Sequence, residues 1–454
     1  MTASPVMQRL SAYIAQAPKK RLPPAVAEKT KHHVLDTLAA MISGSRLVPG
    51  KKAISFARTR GGAKEACVIA SNIVTTAENA ALANGMLAHA DETDDSHAPS
   101  LTHPGCGIVP AALAMAEREQ ASGEALLRAV ALGYDVGCRL TMSLDAYQFR
   151  EDGHSTHSFG PMFGAAAAAA ALLGLNERQV RHCLSFTAQQ ASGISCWMRD
   201  EEHIEKAFDF GGMPARNGVA AAAMVAHGFT GVEDALSGER SFFVAYGRKP
   251  EPEKLIAGLG ETFEVMNTNI KRWSVGSPIQ APLDALVDLM AGNKFSVQDV
   301  ERVVVRVSHQ GANTTNNRTM PDICMQHLCA VMLLDGTVSF KAAHDERRMR
   351  NPGVLNLRKK MQLQGDDALT KAMPSRQGIV ELVLRNGTTL RKHTTAVRGT
   401  AENPMTRAEV DTKAYDLIAP VFGKSRARRL CDAVWSLEKL GNVRKMRTLL
   451  KEER

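Results

Sequence analysis

The chain has 454 residues, 44% of them hydrophobic and 23% charged, with a formal net charge of +9. That length exceeds one ordinary core, so two domains are expected, and the composition is that of a globular protein in water. No apolar run of about eighteen residues marks a membrane span, and the opening MTASPVMQRLSAYIAQAPKK lacks a signal-peptide core, so a cytoplasmic protein with no membrane partner is expected.

Pro23 and Pro24 open a helix whose apolar positions Val34, Leu38, Met41 and Ile42 follow helical spacing until Gly44 ends it. Residues 66–70 read as an isolated strand and 78–88 as a helix rich in Ala, Leu and Met. The stretch that follows, 89–110, carries chemistry. Its first fifteen residues hold four carboxylates (Asp91, Glu92, Asp94, Asp95) and three histidines (His89, His97, His103). Pro110 is expected in the first turn of a helix running over 111–117. A loop so dense in acid and imidazole is costly to bury between apolar helices without partners. Imidazole beside carboxylate suits proton transfer at carbon. Asp and His also suit a metal, and Asp and Ser suit plain helix capping. The Thr102-His103-Pro104-Gly105 run into a helix would attract an anion such as a substrate carboxylate.

Residues 123–134 read as a helix, and 164–173 as an alanine block that lets two helices approach closely; Ala220 to Ala223 read the same way. Near 262 the pattern changes. Residues 262–265 look like a strand and 280–290 like a helix. Val303, Val305 and Val307 alternate with Arg302, Arg306 and Ser308 at strand period. Asn386-Gly387 between 379–384 and 388–395 is a two-residue hairpin signal. After Asn403-Pro404 the helical pattern returns. Residues 423–454 carry ten Lys/Arg against four Asp/Glu, interleaved with Ala427, Leu430, Ala433, Val434 and Leu437, so the excess charge is the solvated face of a helix. With aromatic residues at 5%, no nucleic-acid partner is expected. The eight cysteines lack a Cys-x-x-Cys pair, which argues against a disulfide framework, a zinc ribbon or a common iron–sulfur cluster. The expected fold is mainly α with an inserted α+β domain: a discontinuous all-α domain from 1–261 and 402–454, and an α+β lid domain from 262–401.

Glu92-Thr-Asp94-Asp95-Ser96, then His103-Pro104, then Ile108-Val-Pro-Ala-Ala-Leu-Ala-Met-Ala-Glu117 resembles the MmgE/PrpD family, and the resemblance continues along nearly the whole chain. That family includes 2-methylcitrate dehydratase, cis-aconitate decarboxylase and iminodisuccinate epimerase. The resemblance implies a large helical domain, a smaller lid domain, an active site in the cleft between them, and a homodimer.

It also implies site residues. Gly153-His154-Ser-Thr156 with Gly160 fits the family's Gly-x-His-x-Thr pattern with two small departures, since Gly153 adjoins the histidine and the run to Gly164 is one residue long. His154 is therefore expected to face substrate and His157 to be structural. Lys206, before Gly211-Gly212 and Ala215-Arg-Asn-Gly218, and Lys271-Arg272-Trp273 match family motifs that would hold carboxylates. Ser96 would hydrogen-bond substrate, and Glu92 and Asp95 would orient imidazoles. Gln280 stands where several relatives carry a histidine, and His327 where relatives have an aromatic hydroxyl. His103 or His154 would be the base, with the other, or His327, as acid.

The expected activity is that of a cofactor-independent lyase, a dehydratase of a 2-methylcitrate-like hydroxy di- or tricarboxylate, with no metal. Decarboxylation or epimerisation of a related dicarboxylate is the alternative. A metal-dependent hydrolase using Asp94, Asp95, His97, His103 and His154 or His157, or a family-shaped protein without catalysis, are the remaining readings.

Overall fold

The computed structural model describes residues 3–452. Its contacts divide the chain into two units: one of residues up to 90, 94–268 and 406 onward, the other of 91–93 and 269–405. The fold is mainly α with a smaller α+β part. Among the described residues no helix is long and apolar enough to cross a membrane.

The first unit is helical. Helices Gly123–Ser143 and Thr156–Leu172 run against each other through small residues. A Cβ on Gly164 would lie 2.4 Å from the Gly133 carbonyl oxygen, and one on Gly160 would lie 2.8 Å from that of Gly137. The alanine block is thus the close-packing surface its composition implies, fully buried from Ala165 to Ala170. Helix Met213–Ala226 packs on the same block. Helix Arg407–Phe422 returns the chain to this unit and packs on Pro24–Gly44, where Lys413 Nζ meets the buried Asp36 carboxylate at 2.6 Å. Burial pushes the Asp36 carboxyl up to about 6 even though Lys413 pulls it down.

Two local expectations are corrected. The helix after the acid-rich loop begins at Pro104 rather than Pro110 and runs to Arg118, with Pro110 inside it. Pro104 fills the first helical position, where a missing N–H costs nothing, so the start signal lay six residues earlier. Residues 262–265 do not form a strand: Glu264–Asn267 is a 3-10 turn in the helical unit. Its register is set by side chains, because the Glu264 N–H donates to Asp135 Oδ1 at 2.6 Å and Thr268 Oγ1 donates to the Glu264 carbonyl at 2.8 Å.

The second unit holds a four-stranded sheet in the spatial order Met361–Gly365, Val300–Val307, Gly378–Leu384, Thr389–Thr394. The first pair is parallel and the others antiparallel. The Asn386-Gly387 signal is the hairpin turn, with Gly387 at φ +85° and Leu384 N–H donating to the Thr388 carbonyl. Val303, Val305 and Val307 enter a core with Leu283, Leu286 and Leu328. Helices Gln280–Gly292 and Met325–Asp335 pack on the sheet.

Candidate active site

In the helical unit the loop after helix Ala77–Ala88 folds back so that one carboxylate meets two imidazoles. Asp94 Oδ2 lies 3.0 Å from His89 Nδ1 and Asp94 Oδ1 lies 3.2 Å from His103 Nδ1. Asp94 and His89 have no exposure, and the His103 side chain keeps 11%. Burial alone would raise the Asp94 carboxyl, but the charges and hydrogen bonds of His89 and His103 hold it well below its ordinary value. An ionised acceptor with two Nδ1–H donors fixes the tautomer of both rings. Nε2 of His89 is buried and has no hydrogen-bond partner.

Around these rings stands an aromatic wall. Phe210 is stacked between His89, at 4.3 Å, and His157, at 3.7 Å and 9°. Trp197 meets Phe210 edge-on at 4.6 Å, and His157 lies 5.2 Å from His103. His203, at φ +62°, brings its ring within 5.1 Å of His89 and precedes the short helix carrying Lys206. Lys206 Nζ sits 5.2 Å over Phe210 and 5.6 Å over Trp197. Phe210 reaches this place because Phe208–Gly212 is a single π-helical turn, a local widening common at functional sites. Gly211 permits it: a Cβ there would lie 2.1 Å from the Gly85 carbonyl oxygen. Burial, reinforced by the charges of His103 and Arg150, pushes the His157 ring well below the usual imidazole range, so it is neutral at pH 7.

The structure separates residues that the sequence expectation grouped. Asp95 does not orient His103: it takes His33 Nδ1 at 2.8 Å, the Tyr134 hydroxyl at 2.6 Å and the Gly105 N–H at 2.9 Å, and so anchors the start of helix Pro104–Arg118. His97 is bound to Ser100 Oγ at 2.7 Å and to Glu264 at 3.2 Å. His154 lies before the first turn of helix Thr156–Leu172, with its ring on Phe149 at 4.5 Å and near Tyr246 at 5.8 Å. His157, inside that turn, is the histidine beside His103. Ser96 is partly buried between Asp95 and His97. The metal set drawn from the sequence is therefore dispersed; one group with ligand geometry in the helical unit is His89, Asp94 and His103, with both Nδ1 atoms at hydrogen-bond distance from the carboxylate.

In the second unit Lys271 Nζ donates to the Glu92 carbonyl at 2.7 Å and lies 3.5 Å from its carboxylate, both side chains buried. Glu92 thus meets the Lys271 cation. Arg272 pairs with Asp284 at 3.3 Å and lies over Trp273 at 4.6 Å. Gln280 clamps its own loop, donating to the Trp273 and Val275 carbonyls and accepting the Trp273 N–H. His327 has no exposure and no hydrogen bond at either ring nitrogen, and burial pushes it down to about 4. It is a neutral core side chain.

Sequence reasoning counted His89 in the acid-rich loop without giving it a role and read His157 as structural; it passed over Trp197 and His203. Their signal was a concentration of imidazoles and aromatics on separate segments, which only a fold can gather.

Residues 8–255 match the MmgE/PrpD N-terminal domain and 273–439 the MmgE/PrpD C-terminal domain. The chain belongs to the MmgE/PrpD family. It is similar to the cis-aconitate decarboxylase-like protein oryM of Aspergillus oryzae, 23% identical over 99% of this chain and 98% of that one. Cis-aconitate decarboxylase of Aspergillus terreus is 23% identical over 94% and 92%, and the human cis-aconitate decarboxylase 24% identical over 94% and 90%.

Proposed function

We propose that the chain is a lyase for a cis-aconitate- or 2-methylcitrate-like acid, working by proton transfer at a carbon next to a carboxylate without a cofactor. The observation that carries this reading is the Asp94 carboxylate shared by His89 and His103 beside Lys206. His103 Nε2 is the acid/base end, its ring held by Asp94. Lys206 holds a substrate carboxylate and stabilises the enediolate or dienolate that forms when the proton or carbon dioxide leaves. In dehydration His103 takes the carbon-bound proton and an acid releases the hydroxyl as water; in decarboxylation the same imidazole returns a proton to carbon. The cis-aconitate decarboxylase relatives support the decarboxylating course. Lys271 and Arg272 serve carboxylate binding, and Glu92 positions the Lys271 ammonium. His157 takes the substrate-facing role that the motif assigned to His154. The working form is a cytoplasmic homodimer.

Chelator-treated enzyme incubated with cis-aconitate, 2-methylcitrate, citrate and related hydroxy and amino diacids, read by mass spectrometry, tests the proposal. Loss of carbon dioxide or of water from one of them is expected. Turnover only after Mn²⁺, Zn²⁺ or Fe²⁺ is restored would favour the metal-dependent reading instead.

A further inference from the structure

Residues 91–93 belong to the α+β unit although Ala90 and Asp94, on either side, belong to the helical one. Two side chains hold this three-residue segment. Lys271 grips Glu92 through its backbone carbonyl and its carboxylate. His344 meets Asp91: its Nε2 lies 2.8 Å from Asp91 Oδ2, with the carboxylate 3% exposed and the imidazole 15%. The other ring nitrogen, Nδ1, lies 2.7 Å from the Phe340 carbonyl oxygen. A carbonyl oxygen only accepts, so Nδ1 carries a proton. Nε2 is not aligned for a hydrogen bond but meets the carboxylate at ion-pair distance, and an anion that close favours the protonated ring. Asp91 in turn takes the Thr93 N–H at 3.0 Å and the Thr93 hydroxyl at 2.6 Å.

We propose that His344 is a positioning residue, an imidazolium that pins Asp91 to Thr93 in the α+β unit and so keeps Glu92 seated on Lys271. The inference rests on the reading that gives Glu92 and Lys271 a part in catalysis. Burial works against a charged ring here, but the hydrogen bond and charge of Asp91, with the Asp322 carboxylate behind it, lift the His344 pKa to about 9. The Asp91–Thr93 turn by itself would hold only its own three residues; the imidazolium ties them to helix Phe340–Ala343.

The test reads the pin without needing turnover. In wild-type protein the His344 signal, assigned by its loss in His344→Gln, should titrate above ~7.5 by NMR, a full unit over an ordinary imidazole, and fall below it in Asp91→Asn. Amide exchange over residues 90–94 should quicken about tenfold or more in both variants. On any acid that the screen above finds turned over, kcat/KM should fall about 10–100-fold in both variants, with the alkaline limb of its pH profile moved to lower pH in Asp91→Asn and lost in His344→Gln. If His344→Gln does not fold, Asp91→Asn carries the test. A wild-type midpoint below ~7.5, or unchanged exchange in Asp91→Asn, overturns the proposal. An enzyme inactive on every acid tried, with exchange that responds as stated, would instead sink the lyase reading and leave the pin standing.

Discussion

Two buried histidine–aspartate contacts, one in each unit, use the same residue types in opposite ways. In the helical unit one carboxylate, Asp94, serves two imidazoles, each through Nδ1. In the α+β unit one imidazole, His344, meets acceptors on both sides: Nδ1 bonds the Phe340 carbonyl and Nε2 stands at ion-pair distance from Asp91. The first arrangement orients each ring through Nδ1; the second brings acceptors to both sides of one ring and fixes a charge. His327 marks the third case, a ring with neither nitrogen bonded and a pKa pushed down to about 4. Of the four rings, His89 and His327 have no exposure and His103 and His344 keep little. What separates them is the number of acceptors each ring meets, which decides between a base, a fixed cation and a core side chain.

The sharpest way to break this comparison is to remove the rings of the shared carboxylate. His103→Gln should lower the chemical step by about 10²–10⁴ while leaving the fold and substrate affinity close to wild type, measured by single-turnover kinetics. His89→Gln acts only through Asp94, so its loss should be smaller, about 10–100-fold. Equal losses would mean that both imidazoles touch substrate.

Lys206→Met keeps the stem on Phe210 and Trp197 and removes the charge. A fall in kcat/KM of about 10–100-fold is expected, most of it in KM, from steady-state kinetics. A loss confined to kcat would give the lysine a role in the transition state alone.

Exchange between neighbouring histidines sharpens the contrast within one unit. His157→Gln should cost about tenfold in kcat, since its ring stacks on Phe210 beside His103, whereas His154→Gln should stay within about twofold. The reverse order would restore the role that the motif gave to His154.

The fixed cation predicts a pH dependence of stability. The His344 pKa rises from 6.5 to about 9 on folding, so its contribution is complete below pH 6.5 and is lost as pH rises through about 9. Denaturant unfolding from pH 6 to 10 should show that alkaline loss in wild type and not in His344→Gln. The smallest effect is expected at His327. His327→Leu replaces a ring with no hydrogen bonds by an apolar side chain, and should leave activity unchanged and stability equal or higher by up to ~1 kcal/mol in the same denaturant assay.

Local chemistry makes much of this protein legible in its sequence. The alanine block, the valine alternation at 303–307 and the Asn386-Gly387 turn each declare their structure within about ten residues, because helix packing, strand period and turn type depend on neighbours in sequence. The same holds for the position of His103 at a helix start, next to an acid-rich loop. The division of labour within that loop was not legible. Asp94 and Asp95 are adjacent and equally buried, yet one faces His89 and His103 and the other His33 and Tyr134, which come from helices Pro24–Gly44 and Gly123–Ser143. Nor was the choice of His157 over His154, which turned on a helix beginning after Ser155 and on a π-helical turn more than fifty residues later. A side chain's type sets what it is able to do, but its partners set its protonation, and those partners arrive from distant segments only when the chain folds.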